Sequence, residues 1–443
     1  MPFADAMFLT PETRDQPMHV GGLQLFRYPE GAGDDWLRDV RARLLGETGV
    51  APLFRRRPER VALGAWWRWV DDDDVDLGYH VRHSALPRPG RTRELLELVS
   101  RLHGNLLDRS RPLWEAHLVE GLDGDRFAVY TKLHHALLDG VSALRLLQRS
   151  MSASPDDPTP VPWAPQPPAP PRHGGRGGSP LDALRSLAGA ATLGPRLAYT
   201  AAEALRRQAV LLPAGAPRSM LNVGVSGARR YAAQSWPLDE VRRIGHEHGA
   251  TINDVVLAMC GGALRAYMAD LGQLPAASLV AMTPVSLRRD GDDDRGNLTG
   301  AVLCPIGTDT ADPVARLVAV RDWMTRTKEL LSGLSQTEAT ALGALVLAPM
   351  LLQVPGAGRR LAAPAYNLVI SNLPGPAERL FWNGAELQGL YPLSIPLAGQ
   401  ALNITVTSYA GSLDVGLTGD RRAVPHLQRL LGHLDDALAG LAR

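Results

Sequence analysis

The chain has 443 residues, 45% of them hydrophobic and 21% charged, with 47 basic side chains against 46 acidic ones. That length suits two or three domains with a substantial core, and a formal charge of +1 excludes the concentrated basic excess that a nucleic-acid binder needs. Two cysteines, Cys260 and Cys304, exclude a disulfide scaffold and a thiolate zinc site; both stand in apolar runs and read as inert buried thiols.

Only Lys132 and Lys328 are lysines, and this arginine bias, with abundant Ala, Gly and Pro, fits a GC-rich genome rather than a function. The opening stretch MPFADAMFLTPETRD carries Asp5 and Glu12 and has no continuous apolar run. No secretion signal is therefore expected, and the protein is expected in the cytoplasm.

In chain order, HVGGLQLFRY from His19 reads as a strand, RELLELVSRLHGNLL from Arg93 as an amphipathic helix, and FAVYTKLHH from Phe127 as an alternating strand. VSALRLLQRSM from Val141 returns to helical period. Residues 152–180 then hold ten prolines and four glycines among 29 positions, which no helix or central strand can sustain, so this segment reads as an extended linker. A helical connector follows over about 181–212, with Arg185, Arg196, Arg206 and Arg207 among its apolar residues. The expected division is thus an N-terminal unit over 1–150, a linker and connector over 151–215, and a C-terminal unit over 216–443.

In the second unit, strands are expected at SLVAMTPV from Ser278, AVLCPI from Ala301, YNLVISNL from Tyr366, LNITVTSY from Leu402 and LDVGLT from Leu413. The last two flank the hairpin signal Ala410-Gly411-Ser412. Helices are expected at INDVVLAMCGGALRAYMADL, at VARLVAVRDWMTRTKELL and at VPHLQRLLGHLDDALAGLA. Strands and helices mix without a strict βαβ rhythm, so the class is α+β or mixed α/β in two lobes. The uncharged run Ala339–Gly358 has the length of a membrane span but holds Pro349 and Pro355. It reads as a buried or surface-docking helix, with a lipid contact as the alternative.

The chemistry concentrates at His134-His135-Ala136-Leu137-Leu138-Asp139-Gly140, at the end of a predicted strand and before a predicted helix. Adjacent strand residues point to opposite faces, so one histidine can face a cleft while the other packs. A neutral imidazole suits the removal of a proton from a hydroxyl that attacks a carbonyl. Gly140 permits a tight exit, and Asp139 stands at a helix N-cap position. The plainer alternatives are a core and a surface histidine beside a simple cap, or a zinc site without a clear third ligand. Farther on, Thr251 and Asp254 have capping-box spacing, which puts Asn253 in a first helical turn, as part of the cap or as a group that helps hold an oxyanion.

The segment HHALLDG resembles the HHxxxDG motif of the acyltransferase superfamily built from two chloramphenicol-acetyltransferase-like lobes. Phe8-Leu9 with Pro17-Met18-His19-Val20-Gly21, Pro112-Leu113-Trp114, Asn253-Asp254 and Ser371-Asn372-Leu373-Pro374-Gly375-Pro376 are similar to further elements of one branch, the bacterial wax ester synthase/acyl-CoA:diacylglycerol acyltransferases. These segments, in order, span nearly the whole chain.

The resemblance implies two lobes, each a mixed sheet with helices, around an active-site tunnel. It implies transfer of a long acyl chain from acyl-CoA, as cosubstrate, to diacylglycerol or a fatty alcohol. His135 would be the general base, with His134, Asp139, Gly140 and Asn253 at the catalytic centre and no covalent intermediate. Asp139 would be braced by an arginine, Arg288 or its neighbour Arg289, with Asp254 also supporting the site. Pro112, Leu113, Trp114, Ser371 and Asn372 would line the channel or pack at the lobe junction. Neither metal nor bound cofactor is implied; a membrane or lipid-droplet surface is the implied place of work. The competing readings are a condensation-type enzyme with a carrier-protein thioester donor, and a catalytically silent lipid-binding relative.

Overall fold

Residues 1–47, 49–61, 66–165, 215–286, 299–333 and 364–443 are described by the structure, a computed structural model. Fourteen strands are formed among them: β1 His19–Arg27, β2 Arg56–Val61, β3 Trp66–Asp71, β4 Val81–Ala85, β5 Trp114–Leu122, β6 Arg126–His134 and β7 Arg229–Pro237 in the first part. The rest are β8 Val280–Ser286, β9 Thr299–Pro305, β10 Leu368–Leu373, β11 Phe381–Trp382, β12 Ala385–Leu393, β13 Leu402–Tyr409 and β14 Ser412–Asp420.

Two six-stranded mixed sheets result. The first has the order β11-β12-β1-β6-β5-β4 and the second β7-β14-β13-β10-β8-β9, while β2 and β3 pair separately. Parallel pairs occur in both, β4 with β5 and β10 with β8 and β13. Sheet membership does not follow the order of the chain: β11 and β12, from residues 381–393, complete the first sheet, and β12 lies antiparallel beside β1.

The second sheet shows how alternation sets the site. Leu402, Ile404 and Val406 of β13, with Leu368 and Ile370 of β10, join the core under the helices Ile252–Asp270 and Arg429–Leu441. The residues between them, Asn403, Thr405, Val369 and Ser371, face a cavity instead. The helix Ile252–Asp270 is buried along almost its whole length, which explains its near-continuous apolar sequence. Gly416 of β14 lets the sheets approach closely, since a Cβ there would sit 2.0 Å from the Pro392 carbonyl oxygen of β12. Leu390 N–H of β12 donates to Asp414 Oδ2 of β14 at 2.7 Å across the same junction.

The first part of the expected linker is docked. Ser152 bridges to Phe381, and Trp163 is buried with its ring stacked on Trp114 at 5.3 Å. The connector over 181–212, the run Ala339–Gly358 and Arg288 with Arg289 lie outside the described residues.

Candidate active site

β6 delivers both histidines. Its residues Thr131 and Leu133 face the cavity between the sheets, and His135, one step beyond the strand, continues that face. His134, with Tyr130 and Lys132, belongs to the opposite face and is fully buried. The cavity holds about 320 Å³ and takes its wall from both sheets, with His135, Asp139, Gly140, Ser371 and Thr405 among the residues around it.

Two contacts hold His135. Its backbone N–H donates to the Met18 carbonyl at 2.9 Å, and its ring stacks on Phe8 with centroids 4.0 Å apart. Burial pushes its pKa down to about 4, against opposing pulls from its own backbone and Asp139 and with a small further push from His134. At neutral pH the ring is therefore uncharged and free to accept a proton.

Behind the strand, His134 anchors the turn. Its Nδ1 accepts the Ala136 N–H at 3.1 Å, which leaves Nε2 as the N–H, 3.3 Å from Glu12 Oε1. The same carboxylate accepts Met18 N–H at 2.9 Å and Arg109 Nη2–H at 2.8 Å. Arg109 in turn lies 5.2 Å from the Trp67 ring centroid. Burial opposes the charge on Glu12, but the contacts with His134, Met18 and Arg109 outweigh it and hold the carboxyl below its ordinary range. Glu12 thus reaches both sides of His135, through His134 before it and through Met18 beneath it.

Asp139 caps the helix Gly140–Arg149, its Oδ1 accepting Ser142 N–H at 2.7 Å. That helix brings Ala143, Leu144 and Leu147 to the cavity. Asn253 and Asp254 stand in the first turn of the helix Ile252–Asp270, where Thr251 and Asp254 form a capping box, and neither is among the cavity's lining residues. Asp254 is buried, with Oδ2 engaged by Thr251. Of the Ser371-Asn372 pair, strand alternation brings Ser371 to the cavity and leaves Asn372 off it. Pro112, Leu113 and Trp114 are buried: the Leu113 carbonyl accepts His134 N–H at 3.0 Å, and Trp114 lines a second, apolar cavity. Cys260 and Cys304 are buried, and burial raises the thiol pKa of both, that of Cys260 to about 12.

No pattern in the sequence marks Glu12 or Arg109 as part of this centre, and Phe8 stands there only within the segment that resembles the family's opening. In the sequence Glu12 is simply a charge that argues against a secretion signal. The one available sign was its nearness to the Met18-His19 segment that resembles the family's opening.

Known proteins share this sequence and fold. A profile described as the wax ester synthase/diacylglycerol acyltransferase catalytic domain matches residues 1–256, and that family's C-terminal domain matches residues 295–442. A probable diacylglycerol O-acyltransferase of Mycobacterium tuberculosis, tgs2, is 51% identical over 99% of this chain and 97% of its own length. The solved wax ester synthase/diacylglycerol acyltransferase from Marinobacter aquaeolei VT8 superposes with a TM-score of 0.81 at 41% identity, covering 100% of this chain and 98% of that one. The first condensation domain of the calcium-dependent antibiotic synthetase shares the fold, with a TM-score of 0.58 at 17% identity over 99% of this chain and 92% of that one. The sheets, the HHxxxDG turn and both halves of the sequence lead to one assignment: the chain belongs to the wax ester synthase/diacylglycerol acyltransferase family.

Proposed function

We propose that this protein transfers a long acyl chain from acyl-CoA to the hydroxyl of diacylglycerol or of a long-chain alcohol, with His135 as general base. The observation that carries the mechanism is the neutral His135 ring, held by Phe8 and Met18 at the wall of a cavity shared by both sheets. His135 takes the hydroxyl proton as the oxygen attacks the thioester carbon. The tetrahedral intermediate collapses with cleavage of the C–S bond, and the proton passes to the departing CoA sulfur. Cys260 and Cys304, buried and with raised thiol pKa values, offer no nucleophile, in keeping with direct transfer.

His134 and Asp139 act in this reading through position: one anchors the turn, the other starts the helix that walls the cavity. Asn253 at its helix N-terminus, and a brace for Asp139 from Arg288, belong to the proposal as supporting groups. Acyl-CoA is a cosubstrate, and no resident cofactor is invoked. The acceptors are lipids, which puts the protein at a membrane or lipid-inclusion surface on the cytoplasmic side. Among the described residues, no helix is long and apolar enough to cross a membrane.

The test is thiol release and ester formation from hexadecanoyl-CoA with diacylglycerol and, separately, hexadecanol. Folded His135→Ala should lose about 10²–10⁴-fold in turnover. The acid limb of kcat/KM should fall near pH 4, the pKa of the buried ring, rather than near 6.5. Full activity in His135→Ala would remove His135 as base. No ester from either acceptor, but transfer from a carrier-protein thioester, would favour the condensation-type reading; binding without any turnover would favour a silent relative.

A further inference from the structure

A second cavity opens off the same face of the first sheet. It lies between that face and the helices Trp36–Leu45 and Gly140–Arg149, and holds about 50 Å³ against about 320 Å³ beside His135. The two spaces share three wall residues, Thr131, Leu133 and Leu147. Thr131 and Leu133 are consecutive same-face residues of β6, so one floor runs beneath both spaces. Leu147 descends from the helix Gly140–Arg149 onto that floor and divides them.

The leucine rests on bare backbone. A Cβ built on Gly22 of β1 would lie 2.7 Å from Leu147 Cδ1, so the side chain fills room that only glycine leaves. A switch between staggered rotamers is then the smallest movement that joins the two spaces. The far wall is apolar, with Phe26, Trp114 and Trp163 among its members. Most of its polar members already have partners: Glu115 is engaged by Arg82, His117 and Lys132, Ser150 donates to the Leu146 carbonyl at 2.9 Å, and Gln24 Nε2–H donates to Met151 Sδ at 3.6 Å, while the Trp163 indole N–H is buried without one. A headgroup would find most of those groups taken; methylene groups need none of them.

We propose that the second cavity receives the terminal methylenes of a substrate's hydrocarbon tail, and that Leu147 sets the chain length handled best. This inference rests on the acyl-transfer reading and names the substrate feature that the site selects. The tail can belong to the acyl donor or to the alcohol, and the two arms of the experiment separate these sources.

Wild type, Leu147→Phe and Leu147→Ala would be assayed with acyl-CoAs from octanoyl to octadecanoyl on a fixed alcohol, then with alcohols of graded length on a fixed acyl-CoA. The readout is the long-to-short ratio of kcat/KM within each protein, which a general loss of folded enzyme does not move. Each buried methylene is worth about fourfold in affinity. Leu147→Phe, which thickens the partition, should therefore lower the ratio by about tenfold or more in one arm, and Leu147→Ala should raise it in that arm. Chain-length dependence of binding of the free fatty acid and free alcohol, measured by calorimetry on the same proteins, reads the cavity without turnover. Ester formation with unchanged ratios in both arms and all three proteins would overturn the inference and leave the acyl-transfer reading standing. Shifted binding without ester formation would do the reverse.

Discussion

At the scale of single residues, the proposed active centre depends on one carboxylate that is not among the cavity's lining residues. Glu12 ties Arg109, Met18 and His134 together, and two of these hold the backbone on which His135 rides. Replacing Glu12 with Ala leaves the buried His134 Nε2–H and the Met18 N–H without this partner and frees Arg109. Because Arg109 is partly exposed and can rehydrate, the expected loss of stability is about 2 kcal/mol, toward the lower side for a charged hydrogen-bonded group. Glu12→Gln keeps the shape and an acceptor oxygen and should lose less stability. Both variants should lower kcat while leaving KM for acyl-CoA unchanged, because the cavity wall is intact and only the proposed base is displaced. Denaturant melts beside steady-state kinetics check this. A rise in KM without a fall in kcat would show that Glu12 shapes binding and not the base.

At the scale of elements, helix ends and one aromatic anchor decide how the cavity wall is built. Asp139 accepts Ser142 N–H at the start of Gly140–Arg149, and Asp139→Ala should cost about 1 kcal/mol, the usual worth of a side-chain N-cap. Its effect on the melt and on turnover can be read together, since the same helix carries Leu144 and Leu147 to the cavity. Trp163 belongs to a segment that composition alone makes a linker, yet its ring is 3% exposed and stacks on Trp114. Trp163→Ala should destabilise by about 3–5 kcal/mol, as for a large aromatic removed from a core. An unchanged melt would mean that the segment is a loosely attached strap.

Particular elements show why some of this was legible and some was not. β6 and the helix Gly140–Arg149 were readable because their periods, two and then 3.6, change at HHALLDG itself. β13 and β14 were readable from their alternation and the Ala410-Gly411 turn, where both residues take positive φ as the tight hairpin requires. β5 was less plain, because Glu115 and His117 stand between Trp114, Ala116 and Leu118 as a polar face would; inside the fold that face is buried, and Glu115 pairs there with His117, Lys132 and Arg82. β12 was not readable, because Gly389 and Pro392 argue against a strand, yet β1 on one side and β14 beneath it hold AELQGLYPL extended.

At the scale of the whole molecule, the buried histidines make one prediction about acid. Burial lowers the pKa of His19, His80, His103, His117 and His135, that of His103 to about 3 and of His135 to about 4. An unfolded chain protonates these rings near pH 6.5, while the folded chain resists to much lower pH. Between those limits the unfolded state binds more protons, so stability rises with pH and falls as pH drops from about 6.5 toward 4. Thermal midpoints should be nearly level above pH 7 and fall steadily below 6.5. A flat profile down to pH 4 would show that these rings are not held neutral by the fold.

The sequence by itself determined what depends on near neighbours: strand and helix periods, the capped turn at HHALLDG, the opposite facing of His134 and His135, and the motifs shared with the family. Each is a matter of a few consecutive backbone torsions or of side chains one or two turns apart. The tertiary structure alone decided what depends on groups distant in the chain. It brought Glu12 to His134 and Arg109, completed the first sheet with β12 from the far end of the sequence, and let Leu147 settle on Gly22 between two cavities. Such contacts leave no periodic trace, because they form only when burial of apolar surface brings remote segments together and each buried polar group must then find its partner among them.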